Sequence, residues 1–304
     1  MPMNYTKINL YDYFYNLVKQ IPDDKITTYG ALARALGDVT ASRAVGYMLS
    51  VNKNPNIISC YKVVHTDKTI GKYRLGIDEK IRRLKNDGVE IINGKVTNFN
   101  DKFFDDFKTD YPLKRLMEEQ LKIAEKIDLN DYNYNNNIAA IDVSYENEIG
   151  YAAMVYTINN EYSTKTYINN THFPYIPGYL AYRELPFIEE LSKDFNGIIL
   201  IDANGLLHPR KCGLATFAGI IMDKTTIGVA KSLLLGNINN NYIYYSNEKL
   251  GCMINKHTIV SPGNKISLET SIKKIMLLGN GKYPEILKLA HNETVKLRKR
   301  RLPS

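Results

Sequence analysis

The segment NIAAIDVSYENEIGYAAMVYTI, residues 137–158, predicts two apolar strands joined by a turn, with Asp142 in the middle of the first strand. A charge in such a strand is costly unless it meets a partner or binds a cation. The segment GIILIDANG, residues 197–205, repeats this arrangement with Asp202. Two strands that each carry a central aspartate indicate a site more strongly than either aspartate alone.

A third carboxylate lies between these two strands in the sequence. The segment PYIPGYLAYRELPFIEEL, residues 174–191, predicts a loop that enters a helix, with Glu184 in its first turns. Asp142, Glu184 and Asp202 would then come from two strands and a helix. Such a set of oxygen ligands suits Mg²⁺. Taken singly, each carboxylate could instead be a helix cap or a salt-bridge partner.

The length and composition of the chain set the outer limits. A chain of 304 residues exceeds the usual size of one hydrophobic core, so we expect two domains. There is no signal-peptide pattern and no apolar run near the ~20 residues of a membrane span, so we expect a cytoplasmic protein with no membrane partner. The three cysteines at 60, 212 and 252 form no C-x-x-C pair, which argues against a disulfide framework or a zinc ribbon.

Positive charge is concentrated in the N-terminal third. Residues 1–98 contain 15 Lys and Arg against 9 Asp and Glu, a net +6 of the chain's +8. This excess indicates a polyanionic partner, although a solvated lysine-rich surface is an equal alternative. The basic run KLRKRR, residues 296–301, is typical of a solvated helix end that could add non-specific phosphate contacts.

A change in pattern marks the boundary between the domains. The acidic and aromatic segment NFNDKFFDDFKTDYPLK, residues 98–114, is followed by apolar residues at helical spacing from Leu113 to Ile127. We therefore predict a first domain at residues 1–98, a linker at 99–111 and a second domain at 112–304. A polar loop is predicted at residues 130–137.

The first domain is predicted to contain a helix-turn-helix. TTYGALARALG, residues 27–37, has a threonine cap and a glycine stop, and Thr40 is a candidate cap for the next helix. That next helix has Val45, Met48 and Leu49 on one stripe. A second stripe, with little bulk except one guanidinium, could approach DNA closely and comprises Ser42, Arg43 and Gly46.

Several strings of the first domain resemble one family. IPDDKITTYGALARALG (21–37), SRAVGYML (42–49) and GKYRLGIDEKIRRLKNDGV (71–89) are similar to the C-terminal, DNA-binding and active-site domain of O6-alkylguanine-DNA alkyltransferases. The resemblance implies a mainly α, winged-helix-like helix-turn-helix domain that needs no cofactor. It implies that Cys60 accepts the alkyl group, that Arg43 fills the place of the flipped guanine, and that Tyr29 rotates its phosphate. The guanine pocket would be shaped by Asn52, Gly71 and Tyr73.

The chemistry explains these residue types, and the chain departs from the family in the proton relay. An O6-alkyl group is reached only when the nucleotide leaves the stack, and the attacking group must be a thiolate. The family's Pro-Cys-His-Arg signature, with a glutamate partner for the histidine, is replaced by Ser59, Tyr61 and Lys62 around Cys60 and by Asp87. A tyrosine is a poor base at neutral pH, whereas Lys62 could favour the thiolate electrostatically. We expect transfer, with lesion sensing without transfer as the alternative.

The second domain resembles endonuclease V over roughly residues 112–304. The similar strings are IDVSY (141–145), PYIPGYLAYREL (174–185), LIDANGLLHPRKCGLATFAG (200–219), TIGVAKSLL (226–234) and PEILKLAH (284–291). The resemblance implies an α/β, ribonuclease H-like fold with a mixed sheet. It also implies Mg²⁺-dependent cleavage, with Mn²⁺ as a substitute, at the second phosphodiester 3′ to deoxyinosine.

Site residues follow from the same resemblance. Asp142, Glu184 and Asp202 would hold the metal and, with His291 and Lys231, form the catalytic set. His208 would lie near the lesion pocket. A wedge that separates the strands and admits the flipped hypoxanthine would comprise Tyr175, Ile176, Pro177 and Gly178. The family's Asp-Gly-His-Gly is here Asp202, Ala203, Asn204 and Gly205.

The two resemblances together predict a bifunctional DNA-repair enzyme. Its partner would be double-stranded DNA that contains O6-alkylguanine or deoxyinosine, and single-stranded nucleic acid is a further candidate. We expect a monomer. Because inosine also occurs in RNA, a nuclease that acts mainly on inosine-containing RNA is the alternative for the second domain.

Overall fold

The computed structural model describes residues 5–132, 137–158 and 161–301, so part of the loop predicted at 130–137 lies outside the described residues. The chain divides into two compact units. One comprises Ile8–Met117 and His172–Pro177, and the other comprises residues 1–7, Glu118–Thr171 and Gly178–Ser304. The domain boundaries drawn from the sequence stay a prediction. In the described part of the chain, no helix combines the length and apolar character needed to cross a membrane.

The unit that begins at Ile8 is mainly helical, with short pieces of strand. Its elements are α1 Leu10–Val18, β1 Thr27–Thr28, α2 Tyr29–Leu36, α3 Ser42–Ser50, β2 Val63–Val64, α4 Ile77–Asn86, β3 Ile91–Ile92, β4 Lys95–Val96 and α5 Phe99–Lys102. Strands β1 and β2 pair in parallel, and β3 and β4 form a hairpin after α4. The predicted helical class of this domain is confirmed.

Helices α2 and α3 form the predicted helix-turn-helix. The Thr28 side chain accepts from the Ala31 N–H at 3.1 Å, and Gly37 ends α2 in the left-handed region at φ +101°. The prediction that Thr40 caps the next helix is wrong. Asp38 instead caps the 3₁₀ turn Val39–Ala41 by accepting from the Thr40 N–H at 2.9 Å, because this turn precedes α3.

The segment predicted as a linker, residues 99–111, differs from that expectation. It begins with α5, and its backbone then pairs with the start of the domain. The Ile26 N–H donates to Lys102 O and the Phe104 N–H donates to Ile26 O, both at 2.8 Å. These bonds satisfy backbone groups that a free linker would leave to water, so this segment is part of the first unit.

The other unit is built on a nine-stranded mixed sheet, which confirms the predicted α/β class. Its strands are β5 Ile138–Glu146, β6 Ile149–Ile158, β7 Glu161–Asn170, β8 Ile198–Ile201, β9 Thr225–Ala230, β10 Asn237–Asn239, β11 Tyr242–Tyr245, β12 Glu248–Asn255 and β13 Thr258–Asn264. The order across the sheet is β10-β11-β12-β13-β9-β8-β5-β6-β7. Only the central strands β9, β8 and β5 run parallel to one another.

The register of these parallel strands brings the two aspartates to one end of the sheet. Ile141 of β5 pairs with Ile201 of β8, so an aspartate follows on each chain segment. Asp142 lies in the middle of β5, as predicted, whereas Asp202 directly follows the last residue of β8, so the prediction of a central strand position for Asp202 is wrong. Both side chains start level with the carboxyl end of β8. Lys231 follows the end of the adjacent strand β9 and joins them there.

Helices pack against the sheet in this unit. They are α7 Leu180–Ser192, α8 Leu214–Ile221, α9 Leu268–Gly279 and α10 Glu285–Arg301, and the helix α6 Pro112–Ala124 contributes residues to both units. Leu287 and Ala290 of α10 pack in one core with Ala140 and Leu200 of the sheet. Helix α7 approaches so closely that a Cβ on Gly150 would lie 2.3 Å from Phe187 Cζ.

Two candidate active sites

Cys60 lies at the start of a short 3₁₀ turn in the first unit and is 5% exposed. The buried Asn52 holds it, because Asn52 Nδ2 donates to Cys60 Sγ at 3.0 Å and to Ile58 O at 3.4 Å. The backbone carbonyl oxygen of Asn52 accepts a hydrogen bond from Arg74 Nη1 at 2.7 Å. Asn52 was predicted to shape the guanine pocket, and the structure brings it into contact with the candidate nucleophile.

Burial raises the pKa of the Cys60 thiol to about 11, against the hydrogen bond from Asn52 and the charge of Lys80, which lower it. Lys80 is fully buried, and its Nζ donates to Val63 O at 2.6 Å. Burial lowers the pKa of Lys80 to about 7, and the negative charge of an ionised Cys60 opposes that shift. The thiolate is therefore favoured when Lys80 carries its proton.

Lys80 was missed in the sequence, and it takes the role that was expected of Lys62. Lys62 is also buried, but its Nζ donates to Pro22 O at 2.9 Å and lies 3.4 Å from Asp23 Oδ1. A signal for Lys80 was present in the sequence. It lies between Ile77, Ile81 and Leu84 on an amphipathic helix, where a lysine that joins the apolar stripe needs a buried partner.

Tyr61, the residue directly after Cys60, does not act as a base. Tyr61 donates from its hydroxyl to Asp87 Oδ2 at 2.9 Å. Burial, then the hydrogen bond to Asp87, raises the pKa of Tyr61 well above its ordinary value. Tyr61 therefore remains a neutral donor near neutral pH and cannot accept the thiol proton.

Aromatic rings surround Cys60 on the side of the helix-turn-helix. Burial and then the charge of an ionised Cys60 raise the pKa of Tyr29, so the two groups are electrostatically coupled. The Tyr29 ring lies 4.9 Å from the His65 ring, and a Cβ on Gly46 would lie 3.8 Å from Tyr29 Cε1. Among the described residues, the buried hydroxyl of Tyr73 has no hydrogen-bond partner, so it is available to a ligand.

The other residues predicted for DNA binding in the first domain, Ser42, Arg43 and Gly46, belong to helix α3. Arg43 is exposed, whereas Val45, Met48 and Leu49 on the opposite stripe are buried, as predicted. Ser42 donates from its hydroxyl to Val39 O at 2.7 Å. Arg43 is therefore free of the core and can be presented to a groove.

In the second unit, Asp142 and Asp202 meet partners from different elements. Asp142 Oδ2 lies 2.9 Å from His291 Nδ1 and accepts from Thr294 Oγ1 at 3.3 Å, and both partners belong to α10. Lys231 pairs with Asp202. Thr294 was missed in the sequence, although it lies three residues after His291 and therefore on the same helix face.

Glu184 completes the electrostatic cluster. Burial, together with the negative charges of Asp142 and Asp202, raises the pKa of Glu184 to about 8, although Arg183 acts in the opposite direction. The negative charges of Asp142 and Asp202 thus act on Glu184. Within residues 5–132, 137–158 and 161–301, however, no three His, Cys, Asp or Glu side chains are arranged to hold a metal ion.

The donor set nevertheless fits an oxygen-preferring divalent cation. The negative charges of Asp142 and Asp202 act on Glu184, and the contacts of the two aspartates given above are the Lys231 ammonium, the His291 imidazole and the Thr294 hydroxyl. A cation between the carboxylates would relieve the repulsion that raises the pKa of Glu184. Asp142, Glu184 and Asp202 are therefore the residues that would hold the metal, although their side chains are not arranged around an ion in this structure.

The predicted lesion pocket has an anchored side. The carbonyl of Gly178 accepts from Gln120 Nε2 at 3.2 Å and from Arg210, and His208 Nε2 lies 3.2 Å from it. Gly178 has φ +83°, and a Cβ there would lie 2.8 Å from Arg210 Nη2, so only glycine suits this position. Burial, then the Arg210 charge, lowers the pKa of His208 to about 4, so His208 is neutral.

The predicted wedge is divided between the two units. Tyr175, Ile176 and Pro177 belong to the first unit and Gly178 to the second. Tyr175 is 62% exposed, whereas Ile176 is fully buried. Ile176 therefore has no accessible surface in this structure, and Tyr175 and Pro177 are the exposed members of the predicted wedge.

Comparisons with known proteins match two family models to this chain. Residues 119–292 match the family model of endonuclease V, and residues 9–89 match that of the 6-O-methylguanine DNA methyltransferase, DNA binding domain. A solved structure of Ciona intestinalis endonuclease V, in complex with a DNA 24-mer containing an inosine followed by a ribo-adenosine, is 27% identical with a TM-score of 0.55. It covers 63% of this chain and 99% of that one.

Relatives of full length share both parts. A bifunctional methyltransferase/endonuclease of Picrophilus torridus is 61% identical over 96% of this chain and 98% of its own length. One from Thermoplasma volcanium is 46% identical over 97% of this chain and 92% of its own. The chain thus belongs to the family of bifunctional methyltransferase/endonucleases.

Proposed function

We propose that this chain repairs DNA in two ways, by taking alkyl groups from O6-alkylguanine onto Cys60 and by nicking DNA at deoxyinosine. For the first activity, the observation that carries the proposal is the contact of Cys60 with Asn52, beside the buried charge of Lys80. For the second, it is the placement of Asp142 on β5 beside Asp202 at the end of β8, where they contact His291 and Lys231. The names of the full-length relatives support both.

In the transfer reaction, the Cys60 sulfur attacks the alkyl carbon of a guanine that has left the stack. A sulfur–carbon bond forms as the carbon–O6 bond breaks, and the thiol proton ends on the guanine. Arg43 would fill the space in the duplex, and Tyr29 would turn the phosphate. Asn52 and Tyr73 offer hydrogen bonds at the pocket. Each protein molecule reacts once, because the thioether is stable.

A second candidate for the first unit is lesion sensing without transfer. It is favoured by one observation, the burial that raises the pKa of Cys60 to about 11 in the absence of a histidine at position 61. A sensor would hold O6-alkylguanine and deliver the nuclease. Mass spectrometry of the Cys60 peptide after incubation with an O6-methylguanine duplex separates the two. An added methyl group supports transfer, and its absence supports sensing.

In the nicking reaction, Asp142, Glu184 and Asp202 would hold Mg²⁺, or Mn²⁺ in its place. The bound ion would neutralise charge on the phosphorane-like transition state. Lys231 can move from Asp202 to an oxygen of the scissile phosphate, and His291 orients Asp142 through the 2.9 Å contact. We place the cut at the second phosphodiester 3′ to deoxyinosine, as in the family that this region resembles.

Lesion recognition would use base flipping into the pocket beside Gly178 and the buried His208. The exposed Tyr175 and Pro177 would contact the separated strands, and Ile176 would support them from below. The proposed substrate is double-stranded DNA, with inosine-containing RNA as the alternative. We further propose a monomeric, cytoplasmic protein, with residues 99–111 belonging to the alkyltransferase-like unit.

One experiment tests the nuclease assignment. Three labelled substrates are incubated with the full chain in Mg²⁺ or EDTA. They are a DNA duplex with deoxyinosine, the same duplex with deoxyadenosine in its place, and an RNA that contains inosine. The proposal predicts nicking of deoxyinosine DNA only with the divalent ion, at the position given above. Faster cutting of the inosine RNA would favour the alternative substrate. Equal cutting of lesion-free DNA would contradict the proposal.

A further inference from the structure

A cavity of about 420 Å³ lies beside the carboxylates of the second unit. Its walls come from the end of β9, the turn between β12 and β13, the residue before Pro284 and helix α10. They are formed by Lys231, His257, Tyr283, Lys288, His291 and Asn292. Two of these residues also contact the carboxylates, since Lys231 pairs with Asp202 and His291 with Asp142. The cavity and the cleavage centre thus share a wall.

The chemistry of the lining points to an anion. Two lysines and two histidines face this space, and no carboxylate is among the lining residues that the structure describes. Lys288 is 49% exposed and pairs only loosely with Glu285, at 3.4 Å. An exposed pair of this kind is weak, so the Lys288 ammonium can turn to another anion at little cost.

The rim of the cavity is held by hydrogen bonds. The His257 N–H donates to Asn255 Oδ1 at 2.9 Å, which closes the turn between β12 and β13. Asn255 Nδ2 donates to Gly281 O at 2.9 Å and ties that turn to the loop before α10. These hydrogen bonds hold His257 on the turn and Lys288 on α10 at the wall of the same cavity. The two side chains therefore belong to one ordered surface and are not unrelated surface groups.

We propose that this cavity binds the phosphodiester next to the scissile one, with His257 and Lys288 donating to its non-bridging oxygens. This inference rests on the proposed nuclease function. Because the backbone of a nucleic acid is continuous, a strand cut at the carboxylates must leave the centre across a neighbouring surface. This cavity is such a surface, and the exposed Lys288 ammonium on its wall carries the opposite charge. The Tyr283 ring, which lies 5.1 Å from Lys231 Nζ, offers an apolar floor for the sugar.

Neutralisation of single phosphates tests the proposal. Deoxyinosine duplexes are prepared with an uncharged methylphosphonate at each phosphodiester flanking the scissile one, and single-turnover nicking is measured with the full chain. We expect one position to slow the parent about tenfold, the size of one charged hydrogen bond. A His257→Ala/Lys288→Ala variant should be slow on the normal duplex, and the methylphosphonate should slow it no further.

A matched control lies elsewhere in the same unit. Lys193 pairs with Glu190 as Lys288 pairs with Glu285, three residues apart, and Lys193 does not line the cavity. Lys193→Ala should keep the full methylphosphonate effect. Log(kcat/KM) for nicking should fall with log salt, and this negative slope should be steeper in the parent than in Lys288→Ala by about one.

The outcomes separate the two ideas. If the parent nicks deoxyinosine DNA but the methylphosphonate slows parent and double variant alike, the nuclease assignment stands and the cavity proposal is wrong. Equal salt slopes for the parent and Lys288→Ala would also overturn it. If the parent does not nick deoxyinosine DNA, the proposed function fails and this inference falls with it.

Discussion

The hydroxyl of Tyr61 donates to the carboxylate of Asp87 at 2.9 Å, at the position directly after Cys60. The alkyltransferase family that this domain resembles usually has a histidine and a glutamate in these places. Tyrosine is longer than histidine, and aspartate is one methylene shorter than glutamate. The pair in this chain therefore still reaches a hydrogen bond, but it contains no imidazole base.

Restoring the base should speed alkyl transfer. A Tyr61→His/Asp87→Glu double variant preserves the combined length of the pair and supplies a group that can accept the thiol proton. We expect the second-order rate with an O6-methylguanine duplex at neutral pH to rise at least about tenfold, since a positioned base contributes that much or more. Tyr61→Phe is the control and should bring no gain. Equal rates for the double variant and the parent would show that proton removal does not limit transfer.

The transfer rate of the parent should depend steeply on pH. Burial raises the pKa of Cys60 to about 11, so the reactive thiolate is the minor form throughout the neutral range. Below that pKa, each unit of added pH raises the thiolate fraction up to about tenfold. The loss of charge on Lys80 near pH 7 works against this rise. We expect faster transfer at pH 9 than at pH 7 in a methyl-transfer assay, and a flat profile would mean a thiolate already formed at pH 7.

Replacing Lys80 should move this profile to higher pH. Lys80→Met fills the same buried space without the charge that lowers the pKa of Cys60. We expect transfer at pH 6, where Lys80 carries its proton, to fall about tenfold, which corresponds to a pKa rise of one unit, and transfer at pH 9 to fall less because Lys80 is already neutral there. Lys85→Met, an exposed substitution on the same helix, is the matched control. A drop in rate that is equal at every pH would indicate a packing defect and not a lost charge.

The sequence predicted the fold where local chemistry and long-range packing agree. The cap at Thr28, the stop at Gly37 and the strands around Asp142 and Asp202 each needed only a few neighbouring residues. Thr40 failed as a cap because a short 3₁₀ turn with its own cap at Asp38 precedes the helix. Local propensity does not decide which of two nearby polar residues, Asp38 or Thr40, caps the start of a helix.

The candidate sites were predicted from resemblance in their residues but not in their electrostatics. Two lysines near Cys60 are both buried, and only the fold decides that Lys80 acts on the sulfur while Lys62 turns to Pro22 O. The burial of Ile176 could not be predicted from the sequence either, because an isoleucine before a proline is compatible with a core position and with an exposed wedge. Charge and exposure depend on contacts far apart in the chain, which spacing alone does not encode.

The size of the side chain at position 203 should set the affinity for the lesion. Ala203 is buried directly after Asp202, where endonuclease V commonly has glycine. A methyl at this point narrows the space beside the carboxylate, so KM for a deoxyinosine duplex should fall in the order Ala203→Ser, parent, Ala203→Gly. We expect steps of a few-fold, comparable to one methylene-sized change in a pocket. Absence of this order in steady-state nicking would place Ala203 outside the lesion pocket.

A substitution that changes a single heavy atom in either unit should abolish the activity of that unit and leave the other activity intact. Asp142→Asn keeps the size of the side chain and an acceptor for Thr294 but removes the negative charge, so nicking of deoxyinosine DNA should fall a hundredfold or more, roughly the loss seen when a charge-stabilising group is removed. Methyl transfer to Cys60 should be unchanged. Cys60→Ser should give the reverse result.

A surface aspartate controls for the loss of charge alone. Asp223 pairs with Lys265 at 2.7 Å on the same unit. An exposed pair of this kind contributes little to stability, so Asp223→Asn should leave both activities intact. Both activities are measured on one preparation of each variant, with a duplex that carries both lesions on separate strands. Loss of both activities in Asp142→Asn would contradict the assignment, because the carboxylate centre would then serve the whole chain and not one reaction.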